Sequence, residues 1–586
     1  MDNFGSLLIV LHSHLPFGLG HDPMEEHWLY EAAVETYLPL LDMAARLGRA
    51  EILPGFAVSF TPVLLDQLAD PRFKRGFKNY LATHARVAEE ERLIRGRRKE
   101  SGLARLQQMW RDYYSNALSY FSDTLREDIP GAFRRAAGDG AFELMTSAAT
   151  HGYLPLIGLD ENVRAQIELA IATHQRHFGA SPRGFWLPEC GFRPAGHWRP
   201  PVHHGKLGDH DRRGVDDFIR EAGIDYFFAD QPQLKMSPPD YQGNSPLRLY
   251  REGRLDDMRR PLGVYTRDFT LSRLVWQSDA GYPGDFLYLD FHKKTESGKF
   301  RLWRITDAQA GLDRKDEYDP VRAFNQVGSH ASHFLTAVRE ALKYHYRATG
   351  ERGVVVAAFD AELFGHWWFE GIAWLEQVVR LAAHEPLTIE TPARYFDRNP
   401  PSRHVELRES SWGLNNDHSV WTREDGKWVW WDIYEAETTM QHLGYLLDGS
   451  ELSPALAQVL RQAMRELLIL EASDWTFMIN NWSTRDHAER RAHSHFDDFS
   501  RMAEMAGRMA AGAQLNPEER NYVRETCARD AVFPELDLNL FWRSKFHLRE
   551  AGPAAIEAPA APAGAVTAPV AAAARGAIAD AEPSSS

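Results

Sequence analysis

Two acidic residues in this chain each close an apolar run. Glu189 ends Gly184-Phe185-Trp186-Leu187-Pro188-Glu189-Cys190, and Asp360 ends Val354-Val355-Val356-Ala357-Ala358-Phe359-Asp360. Pro188 lacks an N–H and marks the end of the first run. An acid placed directly after a buried strand sits where barrel enzymes keep their chemistry. Two such acids with tryptophan beside them have the makings of a carboxylate pair acting on a sugar, because indoles suit the apolar faces of pyranose rings. When both are ionised they repel, which raises one pKa and separates an acid from a nucleophile. Taken singly, either acid could equally be a metal ligand or a salt-bridged structural group.

Other reactive types stand nearby. Glu362 alternates with Asp360, and Glu362 or His366 could support it. His12-Ser13-His14 follows the apolar run 7–11. Histidines at i and i+2 share a face if the strand continues; they could bind substrate, ligate zinc, or be a polar strand end. Cys190 reads as packing. No nucleophile elbow, phosphate loop or dinucleotide fingerprint is evident.

The elements that must position these groups are β-prone runs at 7–11, 142–146, 184–187 and 354–359, with helical stretches such as 163–178 and 321–349 between them. Strands alternating with helices predict a mostly parallel sheet, and several polar ends converging on one site predict a barrel. The charged stretch 71–125 reads as a helical excursion. The loop-rich stretch 193–265 reads as an insertion, either a substrate-shaping lid or a floppy surface segment. Beyond residue 400 the pattern becomes helical, at 452–471 and 484–511. The Ala/Pro-rich residues 549–586 lack the side chains for a core and predict disorder.

At 586 residues the chain is long enough for a large catalytic domain and a second domain. A net charge of −15 argues against nucleic acid. The two cysteines, Cys190 and Cys527, argue against a disulfide framework and a thiolate metal site, and fit a reducing compartment. No signal peptide or membrane-length apolar run is visible. The expectation is a cytoplasmic protein with no membrane partner.

The ordered motifs resemble glycoside hydrolase family 57, most closely its 1,4-α-glucan branching enzymes. They are His12-Ser13-His14-Leu15-Pro16; Glu143-Leu144 with Thr150-His151-Gly152-Tyr153-Leu154-Pro155-Leu156; Trp186-Leu187-Pro188-Glu189-Cys190; Phe359-Asp360-Ala361-Glu362-Leu363-Phe364-Gly365-His366-Trp367-Trp368; and Ser473-Asp474-Trp475. The resemblance runs to about Arg501. It implies an incomplete (β/α)7 barrel over 1–400, with insertions at about 71–125 and 193–265. A mainly helical domain over 401–548 would contribute to the cleft.

It also implies a retaining double displacement, with Glu189 as nucleophile and Asp360 as general acid then base, their carboxyls about 5–5.5 Å apart. By the same resemblance His12, His14, His151, Trp276, Trp412 and Asp474 line the donor site, and no metal or other cofactor is needed. Trp28, Glu362 and His366 complete the expected substrate-binding set. A loop within 231–258, with Tyr241 at its tip, would close the cleft; 196–213 reads as an extra insertion. The expected partner is an α-1,4-glucan, amylose or a glycogen precursor, and the expected state a monomer. The alternatives are an α-amylase or 4-α-glucanotransferase on the same scaffold, a metal-dependent hydrolase using His12, His14, His151 and Asp360, and a non-catalytic glucan-binding protein.

Overall fold

A computed structural model of the chain describes residues 2–238, 243–277, 281–307, 309, 311–534, 536–542, 547–548 and 556. Seven parallel strands close on themselves: Gly5–Ser13, Phe56–Phe60, Phe142–Ser147, Gly184–Trp186, Tyr226–Asp230, Gly263–Arg267 and Gly353–Asp360. Neighbours in sequence are neighbours in the ring. The seventh strand pairs along its whole length with the first, and meets the sixth at Val356 and Arg267. This is the (β/α)7 barrel that the motifs implied.

Side-chain alternation splits the strands into two cores. Leu8, Val10, Ala57, Met145, Trp186, Tyr226, Phe228, Tyr265, Val354, Val356 and Ala358 pack together inside the barrel. Leu7, Ile9, Leu11, Phe56, Val58, Phe60, Val355, Ala357 and Phe359 point outward beneath the helices. A strand covered on both faces has no polar side, so these sequences read as unbroken apolar runs.

The runs at 7–11, 142–146, 184–187 and 354–359 lie on barrel strands. Three further strands carried no clear signal, and two of them, Tyr226–Asp230 and Gly263–Arg267, correct the reading of 193–265 as an insertion. Each has five residues, and both sit between turn-rich stretches that mask their short apolar pattern. Helix Pro392–Arg398 plugs the far end of the barrel: Tyr265 donates its hydroxyl proton to Pro392 O at 2.7 Å, and Glu143 accepts from Ala393 N at 2.9 Å. Glu143, part of a quoted motif, therefore works at the end opposite Glu189 and Asp360.

The excursion at 71–125 is a helical hairpin, Pro71–Arg97 and Ser101–Ser119. Trp110 ties it to the segment between the sixth and seventh strands by donating Nε1–H to Arg301 O at 2.7 Å. Helices Lys427–Leu447, Pro454–Leu470, Ser473–Asn480, Arg485–Ala510 and Pro517–Arg529 form the C-terminal part. They dock through buried polar contacts: Glu25 holds His487 at 2.9 Å and also Arg491, while Gln166 and Asn162 donate to Glu471 at 2.8 and 2.6 Å. No described helix is long and apolar enough to cross a membrane. Tyr241 and the stretch 549–586, apart from Ile556, lie outside the described residues.

Candidate active site

The strand ends bring Glu189 and Asp360 to the same mouth. Asp360 is the last residue of the seventh strand, level with His12 on the first, and His12 is level with Ser59 on the second. Glu189 sits in the short turn Pro188–Cys190 after the fourth strand, with φ at +58°. His151 and Cys190 also have positive φ. Non-glycine residues in that region are strained, and such strain collects where a side chain must be aimed.

The Glu189 side chain is half-buried, with its carboxylate among protein groups. One oxygen accepts from Trp412 Nε1 at 2.5 Å, and the other lies 3.4 Å from Ser473 Oγ. Burial is the main cause that pushes it up to about 7; Asp474 adds to this, and Trp412, His14 and Ser473 oppose it. Asp360 is pushed well above the usual carboxylate range, first by burial, then by the charges of Glu362 and Glu189, with Arg267 opposing. Three favourable contacts work on Glu189 and one on Asp360. The groups that favour an ionised carboxylate thus gather at Glu189, while Asp360 faces two neighbouring acids.

Around them the histidines form one network. His12 Nε2 meets His151 Nε2 at 3.1 Å and its Nδ1 meets Ser59 at 3.4 Å. His14 bridges Thr61 at 3.0 Å and Asp474 at 2.9 Å, and His151 Nδ1 meets Ser473 at 2.8 Å. Burial, followed by the charges of the neighbouring histidines, lowers His12 and His151 well below the usual histidine value and keeps them neutral. His14, His151 and Asp474 offer ligand atoms within 4.8 Å of one another, a spacing that suits a metal. Each of those ring nitrogens already has a protein partner, however, so a cation would have to displace a hydrogen bond.

Trp412 is the hub of the aromatic wall. It stands edge-on to Trp186 at 5.4 Å and to Trp276 at 6.0 Å, and carries the Arg267 guanidinium over its ring at 5.1 Å. Glu362 is buried and accepts the Tyr37 hydroxyl proton; burial is the main cause that pushes it up to about 7. His366 lies three positions past the turn that carries Glu362 and bonds Glu35 at 2.8 Å. Trp28 is further out, on helix Pro23–Ala32, edge-on to His487.

Sequence reasoning missed Ser473, which touches both His151 and Glu189, and the bidentate pair Arg267–Asp230 at 2.9 and 2.8 Å. Both members of that pair end barrel strands and are level in register. The signal lay in Phe227-Phe228-Ala229-Asp230 and Val264-Tyr265-Thr266-Arg267, apolar runs with a charge at the end, like those that end in Glu189 and Asp360.

A closed barrel carrying two unequal carboxylates and a tryptophan wall at its C-terminal mouth defines a glycoside hydrolase type of protein. Glycosyl hydrolase family 57 matches residues 8–408, and the 1,4-alpha-glucan branching enzyme C-terminal family matches 432–541. The chain belongs to glycoside hydrolase family 57. A 1,4-alpha-glucan branching enzyme of Thermococcus kodakarensis is 38% identical over 513 residues, 85% of this chain and 73% of the relative. A crystal structure of a branching enzyme of this family from Pyrococcus horikoshii superposes with a TM-score of 0.85 at 34% identity, covering 95% of this chain and 98% of that one. An α-amylase from Thermotoga maritima gives 0.76 at 26%, covering 92% and 100%.

Proposed function

We propose that the protein is a 1,4-α-glucan branching enzyme, which cuts α-1,4 bonds and re-forms them as α-1,6 branches. The observation that carries this is the unequal acid pair joined to the C-terminal helices: Ser473 and Asp474, from beyond the barrel, surround Glu189. The relative at 38% identity and the structural neighbour at 34% are both described as branching enzymes.

In the mechanism this supports, Asp360 gives its proton to the glycosidic oxygen as that bond breaks. The Glu189 carboxylate attacks the anomeric carbon and forms a glycosyl ester. The 6-hydroxyl of a second glucan chain then attacks the same carbon, its proton passes to the Asp360 carboxylate, and Glu189 is released. Two inversions give net retention. His12, His14, His151, Trp276, Trp412 and Asp474 would hold the donor sugar, with Trp28, Glu362 and His366 as outer supports. The neutral imidazoles of His12 and His151 suit that role because they both donate and accept. Excluding water decides between transfer and hydrolysis, and Tyr241 on the 231–258 loop is the proposed closing residue. The domain reading is a catalytic barrel over 1–400 and a helical domain over 401–548 that completes the cleft. A monomeric enzyme of cytoplasmic glycogen synthesis fits this activity, with glucan alone as partner.

The test is to incubate the protein with amylose and count new α-1,6 branches by debranching, against free reducing ends before debranching. Many branches with few free ends support the proposal. Free ends without branches would make it an amylase, a reading favoured by the likeness to the Thermotoga maritima amylase. Loss of turnover on chelation, restored by zinc, would instead favour the metal-dependent reading.

A further inference from the structure

The loop after Asp360 is almost wholly packed. Between residues 361 and 370 the one exposed side chain is the Trp367 indole, at 55%. Its backbone is pinned at each step. Thr36 donates to Phe364 O at 2.9 Å, Gly365 N to Trp368 O at 2.7 Å, Arg301 Nη1 to His366 O at 2.9 Å and Trp367 N to Glu362 O at 3.2 Å. Beneath the indole lies Phe291, 4.5 Å away between centroids and inclined by 30°. Phe291 in turn is fixed edge-on by His366 at 5.5 Å and lies against Arg301 at 5.6 Å.

Single exposed aromatics are ordinary on a surface. This one differs because its backbone and backing ring are both immobilised, so a ligand that stacks on it loses little of the protein's freedom. A flat indole with polar groups at its margin suits a pyranose ring, which has apolar faces and a rim of hydroxyls. His27 and Lys294 hold Glu31 at 3.2 and 3.6 Å, and Glu31, on the helix that carries Trp28, feels the charge of His366, the residue before Trp367.

Position supplies the rest. Trp367 is one hydrogen bond from Glu362, which is two residues from Asp360. Asp360 handles the leaving and incoming oxygen, whereas Glu189, Trp412 and Asp474 gather on the donor side. We propose that Trp367, backed by Phe291, is a subsite that stacks on a glucose ring of the leaving or acceptor chain. This rests on the reading of the protein as an α-glucan enzyme.

The experiment compares the parent, Trp367→Ala, Trp367→Phe and Phe291→Ala in two ways. One is the ratio of new branches to free reducing ends on amylose. The other is retardation in a glycogen-containing native gel in an E189Q background. Loss of one stacking contact should lower the branch ratio and the apparent affinity of Trp367→Ala by roughly five- to tenfold. Trp367→Phe, which keeps a ring and guards against misfolding of the alanine variant, should retain most of both, and Phe291→Ala should fall between. A parent that branches and binds, with Trp367→Ala unchanged in ratio and retardation, would overturn the subsite alone. A parent that neither acts on nor binds α-glucan would overturn the function reading and the subsite with it.

Discussion

Trp412 Nε1 supplies the shortest hydrogen bond made to Glu189 among the described residues, and it opposes the upward push of burial on that carboxylate. In the proposed mechanism Glu189 attacks only when ionised, and burial pushes it up to about 7. Its share of kcat/KM should therefore fall as the pH drops below about 7. Trp412→Phe keeps a ring and removes the donor. A hydrogen bond to a charged acceptor is worth about 1.5–3 kcal/mol, so this variant should move the acid limb of the kcat/KM profile up by about one pH unit. An unmoved limb would mean that the indole only packs. Glu189→Gln and Asp360→Asn should each lower turnover of amylose by about 10³-fold or more while the urea midpoint stays near the parent's. Retained turnover in either would reassign the roles.

One turn of helix controls the loop behind Asp360. Ala33–Tyr37 is a π turn, wider than an α-helical one. Three consecutive side chains reach the loop from it: Glu35 to His366, Thr36 to Phe364 O and Tyr37 to Glu362. Consecutive residues of an α-helix point about 100° apart, so a regular turn would lose part of this grip. Gly365 is the loop's side of the contact. Its φ is +99°, and a Cβ there would lie 1.8 Å from Glu35 O. Gly365→Ala should destabilise the protein by about 2–4 kcal/mol in urea denaturation and lower activity, because the loop must move to admit the methyl group. A variant with parental midpoint and activity would show that the loop is more pliant than these bonds imply.

Among the described residues, several acids sit in the interior with neutral hydrogen-bond partners, as Glu370 does with Tyr318 and Glu471 with Gln166 and Asn162. Burial is the main cause that lifts Glu143, Glu362 and Glu370 to about 7 and Glu471 to about 8. In the unfolded chain these acids titrate near 4.5, so above that pH the native state holds protons that the unfolded state has lost, and stability falls as the pH rises. Buried histidines act the other way: His84 is lowered to about 4 and His174 to about 3, chiefly by burial, so stability gained from them rises until about 6.5. Between pH 6.5 and 8 the acids act without that opposition. The urea midpoint should drop over this range. Glu143→Gln and Glu370→Gln should flatten the drop, because a carboxamide stays neutral. A parental slope in both variants would place the titration elsewhere.

The sequence by itself determined the strand runs that end in His12, Glu189 and Asp360, the long helices and the family motifs. Those signals are local: a buried strand needs an apolar run, a helix a 3.6-residue period, and both are written in adjacent residues. Tyr226–Asp230 and Gly263–Arg267 escaped because five residues buried on both faces give neither alternation nor length. Which groups surround each acid was decided by the tertiary structure alone. Trp412 stands 223 residues from Glu189 and Ser473 stands 284 away, yet both touch its carboxylate. Arg267 acts on Asp360 through its charge because barrel closure sets the sixth strand beside the seventh, where its register partner is Val356. Coulomb and hydrogen-bond energies depend on separation in space, and that separation exists only once the barrel has closed and the C-terminal helices have docked over its mouth.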